Sequence, residues 1–394
     1  MSSLSDIREQ IPVTTRTVYL NNAASGPLLK PAAAAMQRAI DEQSYLGSNW
    51  GVWTPFRKVI AEKFANLVGA SVEEVGYAPN VTTALWALSS ALPLGKEKNV
   101  VLNDLEFPTN VYPWLSWKEM GRIGEVRMLR NQRGVLTIEQ FEEAIDKNTA
   151  VVPLTYVSSL NGFRPKTREI AKIAHERGAS VVSDAFQGFG LVPIDVKRDG
   201  VDALATGTYK WILGPSGYAF LYVSRELLQK LPKGLVGWQG IHFDMKESPS
   251  QPFDFDHLHV ADEATRFDTG VHGVVPSYGI GAALDFALQH NTIGRFADTQ
   301  KRLVRPILDA AKRLNLEIQS PEDFEELGAT VNIATKDPLK SISFLGTKGI
   351  TVSWHWVPGM KPGIRVAPHY YNTEEEVNRF INVLHEMKES GQYF

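Results

Sequence analysis

Three short apolar runs fall within residues 180–223, and no other stretch limits the fold as tightly. The segment reads SVVSDAFQGFG and, after a short connection, VDALATGTYKWILGPSGYAFLYV. The first run, 180–183, delivers Asp184 at its end. The second, 202–206, delivers Thr206, Thr208, Tyr209 and Lys210, and the third, 218–223, follows the turn Gly214-Pro215-Ser216-Gly217. Runs of about five apolar residues bounded by turn signals predict buried strands. Ligands of open α/β sheets collect beyond the carboxyl ends of the strands. Asp184 and Lys210 are therefore expected in one crevice.

A carboxylate and a lysine meeting there have two readings. One is a buried ion pair. The other is the pair that a pyridoxal phosphate (PLP) enzyme requires, a Schiff-base lysine and an acid that keeps a proton on the pyridine nitrogen. Burial suits the lysine to that role by lowering its pKa toward nucleophilic behaviour.

The preceding chain supports a largely parallel sheet. Residues 75–83 read as a strand, a tight turn and a helix start, with an apolar-periodic helix over 84–92. Such a helix start is either an Asn or Thr N-cap or an anion site, since its N–H groups are free and the helix dipole is positive there. Strands are expected at 99–103 and 150–157, and helices at 31–43, 55–68, 166–177 and 276–289. Strand–helix–strand units with about 20 residues between strands favour parallel pairing. Residues 231–264 have no clear period and read as a long surface loop. Asp254, Asp256, His257, His259 and Asp262 lie there, but their spacing fits no standard metal template, so no metal is expected.

Five stretches carry a resemblance. Asp184-Ala185-Phe186-Gln187, then Thr208-Tyr209-Lys210-Trp211 with Gly214-Pro215 beyond, resemble the class V aminotransferase group of fold-type I PLP enzymes. That group includes cysteine desulfurases, kynureninases and isopenicillin-N-epimerase-like proteins. Tyr19-Leu20-Asn21-Asn22-Ala23-Ala24, Glu106-Phe107-Pro108-Thr109-Asn110 and Gly363-Ile364-Arg365 through Asn372 resemble further landmarks of the group. The resemblance implies an α/β large domain with a mostly parallel, helix-flanked sheet over 16–290, and a smaller α+β domain from 291–394 joined by 1–15. It implies PLP as cofactor, with Lys210 carrying it as a Schiff base, Asp184 at the pyridine nitrogen and Gln187 at the ring hydroxyl. Thr208 and Tyr209, just before the lysine, are expected to contact the cofactor. Val81 and Thr82 become the phosphate cradle, and Phe107 stacks on the ring where the group often has histidine. Ser159 or Asn161 is expected near the ring hydroxyl. Arg365 is expected to grip the substrate α-carboxylate as a planar bidentate donor, with Asn22 and Ala23 on the substrate side.

The segment Arg266-Phe267-Asp268-Thr269-Gly270-Val271-His272-Gly273 resembles one whose threonine reaches the neighbouring subunit's phosphate. Val271 stands in its place, so either Thr269 or His272 substitutes near the neighbour's active site or the bond is absent, and the resemblance implies a homodimer.

Composition removes some alternatives. The chain has 394 residues, a net charge of −3 and no cysteine. Lys and Arg are scattered, so no nucleic-acid or membrane footprint is expected. The opening MSSLSDIREQIP lacks an apolar signal core, and a cytoplasmic location is expected. Without cysteine the chain cannot carry sulfur as a persulfide, as the desulfurases of the group do. An aminotransferase is the first expectation, because Phe107 supplies no acid; a β-eliminating C–S lyase and an amino-acid epimerase stay open. An idle PLP-binding protein would have no need of Asp184, Gln187, Lys210 and Arg365 together. A nucleotide-binding protein would need a Gly-rich loop after the first strand, and none is present.

Overall fold

The strands, in chain order, are β1 (Val18–Tyr19), β2 (Val75–Ala78), β3 (Asn99–Asn103), β4 (Glu125–Leu129), β5 (Thr149–Thr155), β6 (Ser180–Asp184), β7 (Ala203–Gly207), β8 (Ala219–Val223), β9 (Val331–Ala334), β10 (Ile350–Thr351), β11 (Ser353–Trp356) and β12 (Pro362–Val366). They come from a computed structural model that describes residues 3–232, 236–241, 256–268 and 270–394.

Seven of them form one sheet in the order β2-β8-β7-β6-β5-β3-β4. β8 runs antiparallel to both of its neighbours, and the other pairs are parallel. The exception follows from connection length. Between β7 and β8 lie only residues 208–218, short of the crossover of a dozen residues or more that a parallel pair needs.

Burial on both faces explains the continuous apolar runs. Alternate residues of β6 divide between two layers: Val181 packs with Ile170, Ala171 and Ala174 of helix Thr167–Glu176. Val182 packs with Leu85 and Leu88 of helix Val81–Ala91 on the other side. Each such side chain contributes about 1.5–3 kcal/mol on burial. Across the sheet Thr155 pairs with Asp184, and Asp184 with Ala205. Asp184 therefore ends its strand two residues before Gly207 ends β7, and Lys210 follows just beyond the same edge.

The second sheet, β11-β12-β9, is antiparallel and lies within the last hundred residues or so of the chain. β1 pairs with β10, and Asn21 bridges Ala367, so the N-terminal segment up to Asn22 is tied to the C-terminal part. Arg8 adds an ion pair with Glu376. Glu376 and Thr373 also form the expected capping box of helix Glu374–Glu389.

Helix Trp50–Val68 begins five residues before the expected start and ends as expected at Gly69, whose φ of 71° suits glycine. β4 has no counterpart in the sequence reading. Its residues are only half-buried or exposed, so EVRML lacks the apolar run of the interior strands.

Candidate active site

The site forms where β5, β6 and β7 end, helix Val81–Ala91 begins and the N-terminal loop crosses. That crossing depends on Gly26. Its N–H donates to the Tyr209 carbonyl at 2.7 Å, and a Cβ at Gly26 would collide with the Lys210 carbonyl oxygen. Gly207 is similarly confined, since a Cβ there would lie 2.8 Å from the Phe186 ring.

Asp184 and Lys210 are both almost completely buried. Burial raises the Asp184 pKa, against the Phe186 N–H that donates to its Oδ1 at 2.9 Å and against the Lys210 charge. Burial lowers Lys210 to about 8, with Asp184 opposing and Arg365 adding to the fall. The Lys210 Nζ sits over the Phe186 ring at 4.4 Å and the Phe107 ring at 5.8 Å. The result is an amine that gives up its proton near neutrality, in a cavity with aromatic walls.

That cavity is lined by Asn80, Val81, Thr82, Phe107, Thr109, Asp184, Phe186, Tyr209, Lys210 and Tyr218, among others. Asn80 caps its helix: its Oδ1 accepts the Thr83 N–H at 2.8 Å, and its carbonyl accepts from Ala84. The amides of Val81 and Thr82, at the first two helical positions, have no intrahelical acceptor. They face the cavity at the positive end of the dipole, where an anion is stabilised. Thr82 and Thr109 hydroxyls meet at 3.1 Å beside them.

Other expected residues stand around the cavity in supporting positions. The Gln187 amide donates to the Ala23 carbonyl at 2.8 Å and accepts from the Trp211 indole at 2.9 Å. One amide N–H of Gln187 is left over. Thr208 Oγ1 donates to the Pro215 carbonyl and holds the glycine turn. Asn22 is used by the fold, donating to Ala367 and accepting from Tyr371. The Trp211 carbonyl bonds His369 at 2.8 Å, so both sides of Lys210 are clamped.

Asn161 does not meet the expectation of a cofactor contact. Its two amide N–H groups go to Gly134 and Gln319 carbonyls, and its Oδ1 accepts from Phe163. With that amide saturated, Ser159 is the polar group that remains, and its buried Oγ has no partner among the described residues.

Arg365 is 5% exposed. Its Nη1 donates to the Ser159 carbonyl at 2.6 Å and its Nε to Ser353 Oγ at 3.1 Å. Burial lowers its pKa to about 10, and among the described residues no carboxylate pairs with it. A buried guanidinium left without an anion is a site for one.

Elsewhere the expectations divide. Thr269 and Asp254 lie outside the described residues. Val271 is exposed, whereas His272 is buried and packs toward Tyr77, with no partner for Nε2 among the described residues. Asp268 ion-pairs with Arg57 and accepts the Tyr77 N–H at 2.6 Å. Among the described residues no group of three or more His, Asp or Glu side chains is arranged to hold a metal. No helix among them is long and apolar enough to cross a membrane.

Two site residues were not singled out from sequence. Glu106 is buried and accepts from Asn103, Asn110 and the Thr155 N–H at 2.7–2.8 Å. Burial pushes it up to about 7, against those donors and with Asp184 adding to the rise. The Asn103, Glu106, Asn110 spacing at a strand end was the available signal. Phe186, whose ring lies against the lysine, carried none beyond its place after Asp184.

The residues fit PLP: a buried amine, a buried carboxylate, an anion cradle at a helix start and a stacking ring converge on one cavity. Comparison with known proteins agrees. The family model for aminotransferase class-V matches residues 18–380. An uncharacterized aminotransferase, YcbU of Bacillus subtilis, is 30% identical over 376 residues, 95% of each chain. A probable cysteine desulfurase of Methanothermobacter thermautotrophicus is 29% identical over 98% of each. The apo cysteine desulfurase of Thermococcus onnurineus has the same fold, with a TM-score of 0.87 at 23% identity over 99% of each chain. On the match of family, fold and site, the chain belongs to the class V aminotransferase family, the PLP-dependent enzymes of fold-type I.

Proposed function

We propose that the chain transaminates a free α-amino acid. The observation that carries this reading is that, with Asp184 given to the pyridine nitrogen, Lys210 is the one group of the described cavity lining left to move a proton near neutrality. Glu106 is outside that lining and is held by three donors. Lys210 is held near 8, whereas burial raises the phenols of Tyr209 and Tyr218 further from neutrality. Phe107 and Phe186 cannot exchange protons at all. Transamination needs one mobile base, which removes the α-proton and returns it to a neighbouring carbon. Epimerisation needs a second base on the opposite face, and expulsion of a poor leaving group needs an acid. The relative named an aminotransferase supports the same choice.

In this assignment Lys210 Nζ binds the cofactor and moves the α-proton. Asp184 would hold the pyridine nitrogen, Val81 and Thr82 would take the phosphate, and Phe107 would lie against the ring. Ser159 Oγ or the spare Gln187 N–H meets the ring hydroxyl. PLP, when bound, supplies the electron sink for the α-carbon. Arg365 takes the α-carboxylate and so orients the α-hydrogen. A second copy of the chain covers Tyr45, Leu46, Trp50 and Val52, which helices Lys30–Leu46 and Trp50–Val68 leave exposed.

The test is single turnover with a panel of amino acids and no acceptor keto acid. Keto acid should form in an amount equal to the enzyme and stop. Continuous ammonia release, or racemisation without keto acid, would replace the aminotransferase reading with a lyase or an epimerase.

A further inference from the structure

The face of the small sheet that carries Arg365 also carries a histidine. β11 and β12 pair with Ser353 opposite Arg365 and His355 opposite Gly363. Directly opposed residues of an antiparallel pair share a face, and side chains two apart along a strand share it too. Ser353, His355 and Arg365 therefore stand on one side. That side meets the large domain, because Arg365 reaches the Ser159 carbonyl. Trp354 and Trp356, on the other side of β11, are 43% and 55% exposed.

The imidazole is fixed as well as placed. His355 Nδ1 accepts the Trp356 backbone N–H at 3.1 Å, so the neutral ring carries its proton on Nε2. Burial, with the charges of Arg365 and Lys210 adding to it, depresses the His355 pKa to about 4. At neutral pH His355 is thus an uncharged donor beside a cation. Three N–H groups of Arg365 remain after its bonds to Ser159 and Ser353. The wall offers donors and positive charge, and among the described residues no carboxylate acts on His355 or Arg365.

We propose that His355 is a specificity-determining residue: its Nε2–H takes an acceptor on the substrate's side chain, and selects amino acids with an acidic or amide side chain over aliphatic or cationic ones. This rests on the assignment of Arg365 to the α-carboxylate. A carboxylate side chain gains from the neighbouring cations, an amide gains the hydrogen bond alone, and a lysine-like side chain meets repulsion.

The test measures dissociation constants of L-aspartate and L-alanine for the holoenzyme by the change in cofactor absorbance. In the H355F variant the preference for aspartate over alanine should fall about 30-fold, the worth of one hydrogen bond to a charged group. H355Q, which keeps a side-chain N–H, should restore most of it. Independently of turnover, a nitrogen-15 imidazole spectrum should show His355 as the Nε2–H tautomer. Succinate should shift that signal, and propionate at equal concentration should not. An unchanged preference, equal weakening of both amino acids, or a signal blind to succinate overturns the role of His355. Wild-type enzyme that binds ethylamine as tightly as L-alanine overturns the Arg365 assignment instead, whatever H355F does.

Discussion

Replacing Arg365 separates a substrate clamp from a structural cation. Of its five N–H donors, the fold uses one at Ser159 and one at Ser353. The rest can hold a carboxylate through two parallel bonds. Arg365→Lys keeps a charge but loses the planar fork. Hydrogen bonds to charged groups contribute about 1.5–3 kcal/mol each, so losing one should cost about 2 kcal/mol in kcat/KM, roughly 30-fold. Arg365→Met removes both, and about 4 kcal/mol, near 1000-fold, is expected. Stability should move the other way or not at all, since a buried guanidinium without an anion is replaced by an apolar chain. The assay is kcat/KM for one amino acid and its decarboxylated amine, with thermal unfolding of each variant alongside. The amine should be a poor substrate of the wild type and barely affected by either change. Equal losses for both substrates, together with a large fall in Tm for Arg365→Met, would show that the arginine serves the fold.

Three further outcomes are expected. Lys210 has a folded-state pKa of about 8 against an ordinary 10.5, so between these values the unfolded cofactor-free chain binds more protons, and stability should rise as pH rises from 8 to 10.5. Below pH 8 the buried ammonium costs about 3 kcal/mol, and Lys210→Met should raise the Tm of cofactor-stripped protein at pH 7; a flat pH profile in unfolding experiments would contradict the burial argument. Asp184→Ala should retain PLP but slow deuterium exchange at the substrate α-carbon by about 100-fold or more, given about 3 kcal/mol for one lost charge interaction in a dry site; exchange at the wild-type rate would make Asp184 structural. Sedimentation at micromolar concentration should give a dimer mass, and Trp50→Glu should weaken it; a fully active monomer would refute the proposed covering of helices Lys30–Leu46 and Trp50–Val68.

The parts of the fold legible in sequence are those whose burial is two-sided. β5, β6, β7 and β8 are almost wholly buried, and such strands leave continuous apolar runs that end in turn signals. β4 is half-buried beyond its exposed first residue and leaves no such run. The site was legible where local sequence sets the geometry. Asp184 ends a strand, Lys210 follows three residues after one, and Asn80 and Thr82 open a helix. It was not legible where contacts join distant segments. Asn161 looked available as a polar residue after β5, yet its partners are Gly134 and Gln319. Glu106 draws its donors from the ends of β3 and β5 and from the turn at Asn110. His355 is placed only by pairing between β11 and β12, and a Trp-His-Trp stretch with a polar residue before it discloses neither partner nor face.

The central claim is that Lys210 holds PLP covalently, and reduction with borohydride followed by peptide mass analysis tests it most directly. The protein should be yellow, and after reduction the pyridoxyl mass should sit on the peptide containing Tyr209-Lys210-Trp211, with no covalent cofactor in Lys210→Ala. A protein that stays colourless with added PLP, or a label fixed on another lysine, would contradict the account.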